Sequence, residues 1–158
     1  MTHPKDEIDR IMAVMETAFD PRFGEAWNRR QVEDALLLGR CHYVLADEHG
    51  NQPNDQESDP TVTGFALMRD GFGEEELLLF AVAPQYRGKG IGEKLLQRLT
   101  QSARDRHVER ILLEMRRGNE AESIYLRNGF APIGLRRNYY RTLDGDCIDA
   151  ITFSCPLN

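Results

Sequence analysis

Apolar positions along the chain follow two periods. Ile8, Ile11, Met12, Met15 and Phe19 recur at helical spacing, which predicts an amphipathic helix over residues 5–19 stopped by Asp20-Pro21. A loop holding Phe23 and Trp27 follows, and Asn28 is placed to cap a second helix with Val32, Ala35 and Leu36 inward. Residues 41–46 are strand-like, whereas residues 47–60 carry acids, amides, Gly50, Pro53 and Pro60, the composition of a mobile solvent loop. Strands are predicted over 61–69 and 75–82, joined through Asp70-Gly71-Phe72-Gly73.

Ile91, Leu95, Leu96 and Leu99 then mark a helix running to about Arg106, and residues 108–115 form a buried-looking strand. Ala121, Ile124 and Tyr125 sit on a short helix ended by Asn128-Gly129. Two last strands, near 130–141 and 147–154, flank the hairpin signal Asp144-Gly145. The order predicts a layered α/β or α+β fold around a βαβαβ centre, in one domain over residues 1–158 without internal repeats.

Composition narrows the class. With 41% hydrophobic and 29% charged residues, the chain has the make-up of an ordinary globular protein. No apolar run reaches membrane-span length, and the polar start Met1-Thr2-His3-Pro4-Lys5-Asp6 does not read as a signal peptide. Cys41, Cys147 and Cys155 are odd in number and lack metal-ligand spacing, so reduced thiols, a cytoplasmic location and no metal are expected. A formal charge of −6 disfavours nucleic acid as a partner and modestly favours a basic one.

The richest segment runs from Glu76 to Leu96. An apolar strand ends at Pro84, glycines follow at 88, 90 and 92 beside Arg87 and Lys89, and the helix pattern starts at once. Such a loop exposes unpartnered backbone amides at a helix N-terminus, where the dipole favours an anion such as a pyrophosphate. Two familiar phosphate loops fail on spacing. No Ser or Thr follows Lys89 or Lys94 as a Walker loop requires, and Glu93 stands where a dinucleotide fingerprint needs its third glycine.

What remains, R-x-x-G-x-G from Arg87 through Gly90 to Gly92, resembles the acetyl-CoA loop of the GNAT acyltransferase superfamily. Leu113-Glu114-Met115-Arg116 resembles the L-E-V-R strand of the branch that acetylates protein N-termini. Asn119-Glu120-Ala121 and Tyr125 through Gly129-Phe130 are similar to its N-x-x-A…L-Y-x-x-x-G-F helix. Arg136-Arg137-Asn138-Tyr139-Tyr140, Asp144-Gly145 and Asp149-Ala150 resemble the C-terminal signature of the ribosomal-protein alanine N-acetyltransferase group. Together these span residues 61–154. Two departures stand out: Asn119 and Tyr125 are six residues apart where the family has seven, and Arg141 replaces a frequent proline.

The resemblance implies a mostly antiparallel sheet of six to seven strands flanked by about four helices, with acetyl-CoA as cosubstrate. It implies a donor site formed by Phe80-Ala81-Val82, by Arg87-Gly88-Lys89-Gly90-Ile91-Gly92 and by Asn119. It makes Glu114 the base and Tyr125 the acid; read alone, Glu114 would pair with an arginine such as Arg116 and Tyr125 would pack in the core. Trp27 and Tyr139 are the acceptor-site candidates. The implied acceptor is a protein or peptide N-terminus, that of a ribosomal protein first; a small amine, a lysine side chain, or CoA binding without turnover are the alternatives.

Overall fold

The computed structural model describes residues 4–157. Its elements run α1 (Pro4–Ala18), α2 (Arg29–Leu37), β1 (Cys41–Ala46), β2 (Gly64–Asp70), β3 (Glu74–Val82), α3 (Ile91–Asp105), β4 (Arg110–Arg116), α4 (Glu122–Arg127), β5 (Ala131–Arg141) and β6 (Cys147–Pro156). Asn28 caps α2 in a reciprocal capping box with Gln31. Among the described residues no helix is long and apolar enough to cross a membrane.

Six strands form one sheet in the order β1-β2-β3-β4-β6-β5. Every neighbouring pair is antiparallel except β3 with β4. The expected βαβαβ centre is therefore only partly parallel: β6 returns between β4 and β5. Both faces of the sheet are covered. Ile11 and Met15 of α1 and Val32 of α2 pack on Phe65, Leu67 and Leu79. On the opposite face Leu95, Leu96 and Leu99 of α3 pack on Ala66, Met68 and Leu77. Consecutive residues of β2 thus point into different cores, which is why the strand reads as a continuous apolar run.

One irregularity decides where a site can exist. Leu67 pairs with Leu79 but Met68 with Leu77, so Leu78 is an extra residue on β3. The bulge sends Leu77 to the α3 core and Leu79 to the α1 core, although strict alternation would put both on one face. β3 pairs with β4 only as far as Leu77 opposite Leu113. Beyond that point β4 continues against β6 alone, with Glu114, Met115 and Arg116 opposite Thr152, Ile151 and Ala150. The two strands part, leaving a gap in the middle of the sheet.

The 47–60 loop is better anchored than its composition suggests. Arg98 on α3 donates to the carbonyls of Leu45 (2.9 Å) and Gly50 (3.0 Å), and to Gln52. At the far end of the sheet from the gap, the buried Glu75 carboxylate is paired with Arg106, with His42 and Asp70 beside it.

Candidate active site

The separation of β3 from β4 opens into two adjoining grooves. The larger, about 600 Å³, runs from the loop before α3 along Phe80 and Val82 to Ala121 and Ile124. The smaller, about 260 Å³, lies between Leu78 of β3 and Glu114 of β4, with Trp27, Tyr125 and Tyr140 on its walls. Phe80, Glu25, Phe19 and Asn119 border both.

The larger groove ends at a bare helix N-terminus. Gly90 is the N-cap of α3 at φ +80° and offers no side chain, and the first intrahelical bond is Lys94 N–H to Gly90 O at 3.1 Å. The amides of Ile91, Gly92 and Glu93 are left without helical acceptors. Gly88 and Gly90 both hold left-handed backbone (φ +76° and +80°), and a Cβ on either would point into open space. Together with the apolar channel beside Phe80 and Val82, this donor set suits a pyrophosphate carrying a long uncharged arm.

Not every predicted cofactor residue acts as expected. Arg87 borders the groove, but its Nε donates to Val82 O (3.0 Å) and its Nη2 to Ala18 O (2.6 Å), tying the end of β3 to the end of α1. Its own amide is bonded to Pro84 O. Lys89 stands outside the groove lining with its ammonium 5.4 Å from the centre of the Tyr86 ring. Asn119 borders both grooves while its Oδ1 accepts from the Ala121 amide at 2.8 Å, turning the chain into α4. The side-chain NH₂ is the part left for a ligand. Ala81 borders the groove with its side chain buried in the α1 core.

In the smaller groove Glu114 is not paired with Arg116. Its Oε2 lies 3.3 Å from Nε of Arg136 on β5 and accepts from the Thr152 hydroxyl at 3.4 Å. Arg116 turns the other way, to Glu25 at 3.1 Å, with its guanidinium 3.6 Å above the Phe23 ring. Tyr125 is 5% exposed and packed among Phe80, Phe130 and Phe153 at ring separations of 5.6–6.4 Å. Burial holds its phenol well above the ordinary tyrosine range, and the Glu25 charge adds to this. Packing and contact with the groove coexist: the ring is core, and among the described residues its hydroxyl has no hydrogen-bond partner.

Trp27 also does both things, bordering the smaller groove and packing on the α1 core. Tyr139 does not border it. It is 53% exposed with Arg136 over its ring, and Tyr140 lines the groove instead. The pairing of β5 with β6 slips between Arg136 and Tyr140, where Asn138 adopts φ +54° and its amide bonds Asp149 Oδ1. That irregularity breaks the alternation from which the inward tyrosine could have been read. Burial, and then the Glu114 and Glu25 charges, push the Tyr140 phenol up to about 12. Glu25, Arg116 and Tyr140 are the site residues that sequence reasoning did not single out. Arg116 and Tyr140 lie inside the Leu113–Arg116 and Arg136–Tyr140 motifs, and the pairing of Tyr139 with Tyr140 left open which ring faces the groove.

Comparison with known proteins identifies the family. The [ribosomal protein bS18]-alanine N-acetyltransferase of Haemophilus influenzae is 32% identical over 96 residues, covering 61% of this chain and 66% of that protein's length. The N-alpha-acetyltransferase RimI of Mycobacterium tuberculosis is 38% identical over 132 residues, 80% of this chain and 72% of that protein. The crystal structure of the ribosomal-protein-S18-alanine N-acetyltransferase from Escherichia coli superposes with a TM-score of 0.80 at 24% identity, covering 100% of this chain and 92% of the other. It shares the fold. Residues 39–132, which include β1 to β4, the glycine loop and α4, match the acetyltransferase (GNAT) domain, and to that family this chain belongs.

Proposed function

We propose that this protein transfers an acetyl group from acetyl-CoA to the α-amine of a protein N-terminus, in first place the alanine of a ribosomal protein. One observation carries the reading. A parallel strand pair comes apart beyond Leu77 and Leu113, with an anion cradle at one mouth of the gap and a carboxylate and a phenol at the other. The acceptor reading is supported by relatives named for the alanine of ribosomal protein bS18, those of Haemophilus influenzae and Escherichia coli among them.

Acetyl-CoA supplies an activated acyl group on a thiol leaving group. The amides of Ile91, Gly92 and Glu93 hold its pyrophosphate, and the unpaired edge of β3 at Phe80–Val82 orients the arm. Glu114 takes a proton from the incoming ammonium, directly or through one water, and frees the lone pair for attack. An α-amine titrates near ~8 against ~10.4 for lysine, so it asks less of this carboxylate. As the carbon–sulfur bond breaks, the Tyr125 hydroxyl gives its proton to the sulfur, and the second proton that the nitrogen sheds on becoming an amide restores the phenol. Burial raises that phenol, so it meets the sulfur protonated and parts with the proton only as negative charge develops there.

Thiol release from acetyl-CoA with an alanine-starting, lysine-containing peptide tests the proposal, with mass spectrometry locating the acetyl group. Acetylation at the N-terminus is expected. Modification of lysine alone, or turnover on a polyamine and no peptide, overturns it.

A further inference from the structure

Glu25 stands where the two grooves meet. It lies on the loop between α1 and α2 and borders both, whereas Glu114 borders only the smaller one. Its side chain is 17% exposed, and Oε1 is held by Arg116 Nε at 3.1 Å. Arg116 is itself 14% exposed and flattened against Phe23, so the carboxylate has a fixed position. Among the described residues, Oε2 of Glu25 has no hydrogen-bond partner. Its charge adds to the burial that raises both groove phenols, Tyr125 and Tyr140.

An α-amine with a pKa near ~8 arrives at neutral pH mostly as ammonium, a group with three donors and no acceptor. We propose that Glu25 is the anchor for this ammonium: a binding residue that receives the charged acceptor at the groove junction before Glu114 removes its proton. The inference rests on the acceptor proposed above. It assigns binding and proton removal to two carboxylates; because a group that holds a cation opposes its deprotonation, the amine leaves Glu25 as Glu114 takes its proton. The guanidinium of Arg116 serves to position Glu25.

The test compares two ligands by calorimetry in the presence of CoA: an alanine-starting heptapeptide, and the same peptide with propionyl in place of its first residue. Wild type is expected to prefer the ammonium form by about 10-fold or more, the range of a charge-assisted hydrogen bond. That preference should fade as pH rises above ~8 and the amine loses its charge. Glu25→Gln, which keeps the size and can still reach Arg116, should lose the preference and its pH dependence. Glu25→Asp should retain part of both. Equal weakening of the two ligands by Glu25→Gln would make the residue a loop tie only and overturn the proposal, as would an unchanged preference. A wild type that prefers the ammonium ligand yet does not acetylate it leaves Glu25's role standing and removes the acceptor reading. One that acetylates the peptide without that preference does the reverse.

Discussion

Arg136 on β5 lies 3.3 Å from Glu114 on β4, across the intervening strand β6. The carboxylate proposed as base is therefore held by a cation on the segment that carries the Arg-Arg-Asn-Tyr-Tyr signature, rather than by its chain neighbour Arg116. Arg136 is mostly exposed, so the contact is worth little to stability, within about 1 kcal/mol. Glu114→Gln is expected to lower kcat by ~10²–10⁴-fold, most strongly at low pH where the amine is charged, with CoA affinity unchanged. Arg136→Gln should leave the urea midpoint nearly unaltered. Full activity of Glu114→Gln at low pH would remove Glu114 as the base.

Tyr125 separates packing from chemistry. Tyr125→Phe preserves the ring among Phe80, Phe130 and Phe153 and should cut kcat with less than about 1 kcal/mol lost in stability. Tyr125→Ala should destabilise by about 3–5 kcal/mol. Steady-state kinetics and urea unfolding of the pair decide whether the hydroxyl acts or the ring only fills the core.

The same phenols predict alkaline behaviour. Tyr125 and Tyr140 are both held above the ordinary value by burial, Tyr140 to about 12. Unfolded tyrosines ionise near ~10, so above that pH the unfolded chain holds fewer protons than the folded one. Stability should be intact below pH ~10 and fall as pH rises toward 12. Urea midpoints across that range should fall less steeply in a variant with both tyrosines replaced by phenylalanine.

Gly92 gives a strain-free probe of the donor loop. Unlike Gly88 and Gly90 its φ is not positive, and an added Cβ meets Ile124 Cδ1 at 3.4 Å in ordinary contact. Gly92→Ala should fold normally. Gly92→Glu places a like charge in the anion cradle and should weaken CoA by about 100-fold or more in a folded protein. Calorimetry showing equal CoA affinity in all three proteins would move the pyrophosphate elsewhere.

Tyr140 rather than Tyr139 should govern the acceptor. Tyr140→Ala is expected to raise the peptide KM several-fold, and Tyr139→Ala much less, with the acetyl-CoA KM steady in both. The opposite order would mean that the β5 irregularity at Asn138 rearranges on binding.

Much of this was legible in the chain because it depends on near neighbours. The helix starting after Gly90, the capping box at Asn28 and the hairpin at Asp144-Gly145 are consequences of residues within a few positions of one another. The partners of the site are a different matter. Glu25 and Arg116 are 91 residues apart, and Arg87 and Ala18 are 69. No local pattern relates them.

By itself the sequence determined which segments are helix and strand, the bare-amide loop, and the residue types able to take and give a proton. Periodicity, capping and glycine stereochemistry act over a few residues, so they are written in the order of the amino acids. The tertiary structure alone decided that Arg87 ties two elements together, that Glu114 answers to Arg136, and that Tyr140 faces the groove in place of Tyr139. It also decided the gap itself, where the Leu78 bulge falls and the β3–β4 pairing ends at Leu77. Each of those outcomes depends on which surfaces meet once both faces of the sheet are buried, a long-range choice that local preferences do not encode.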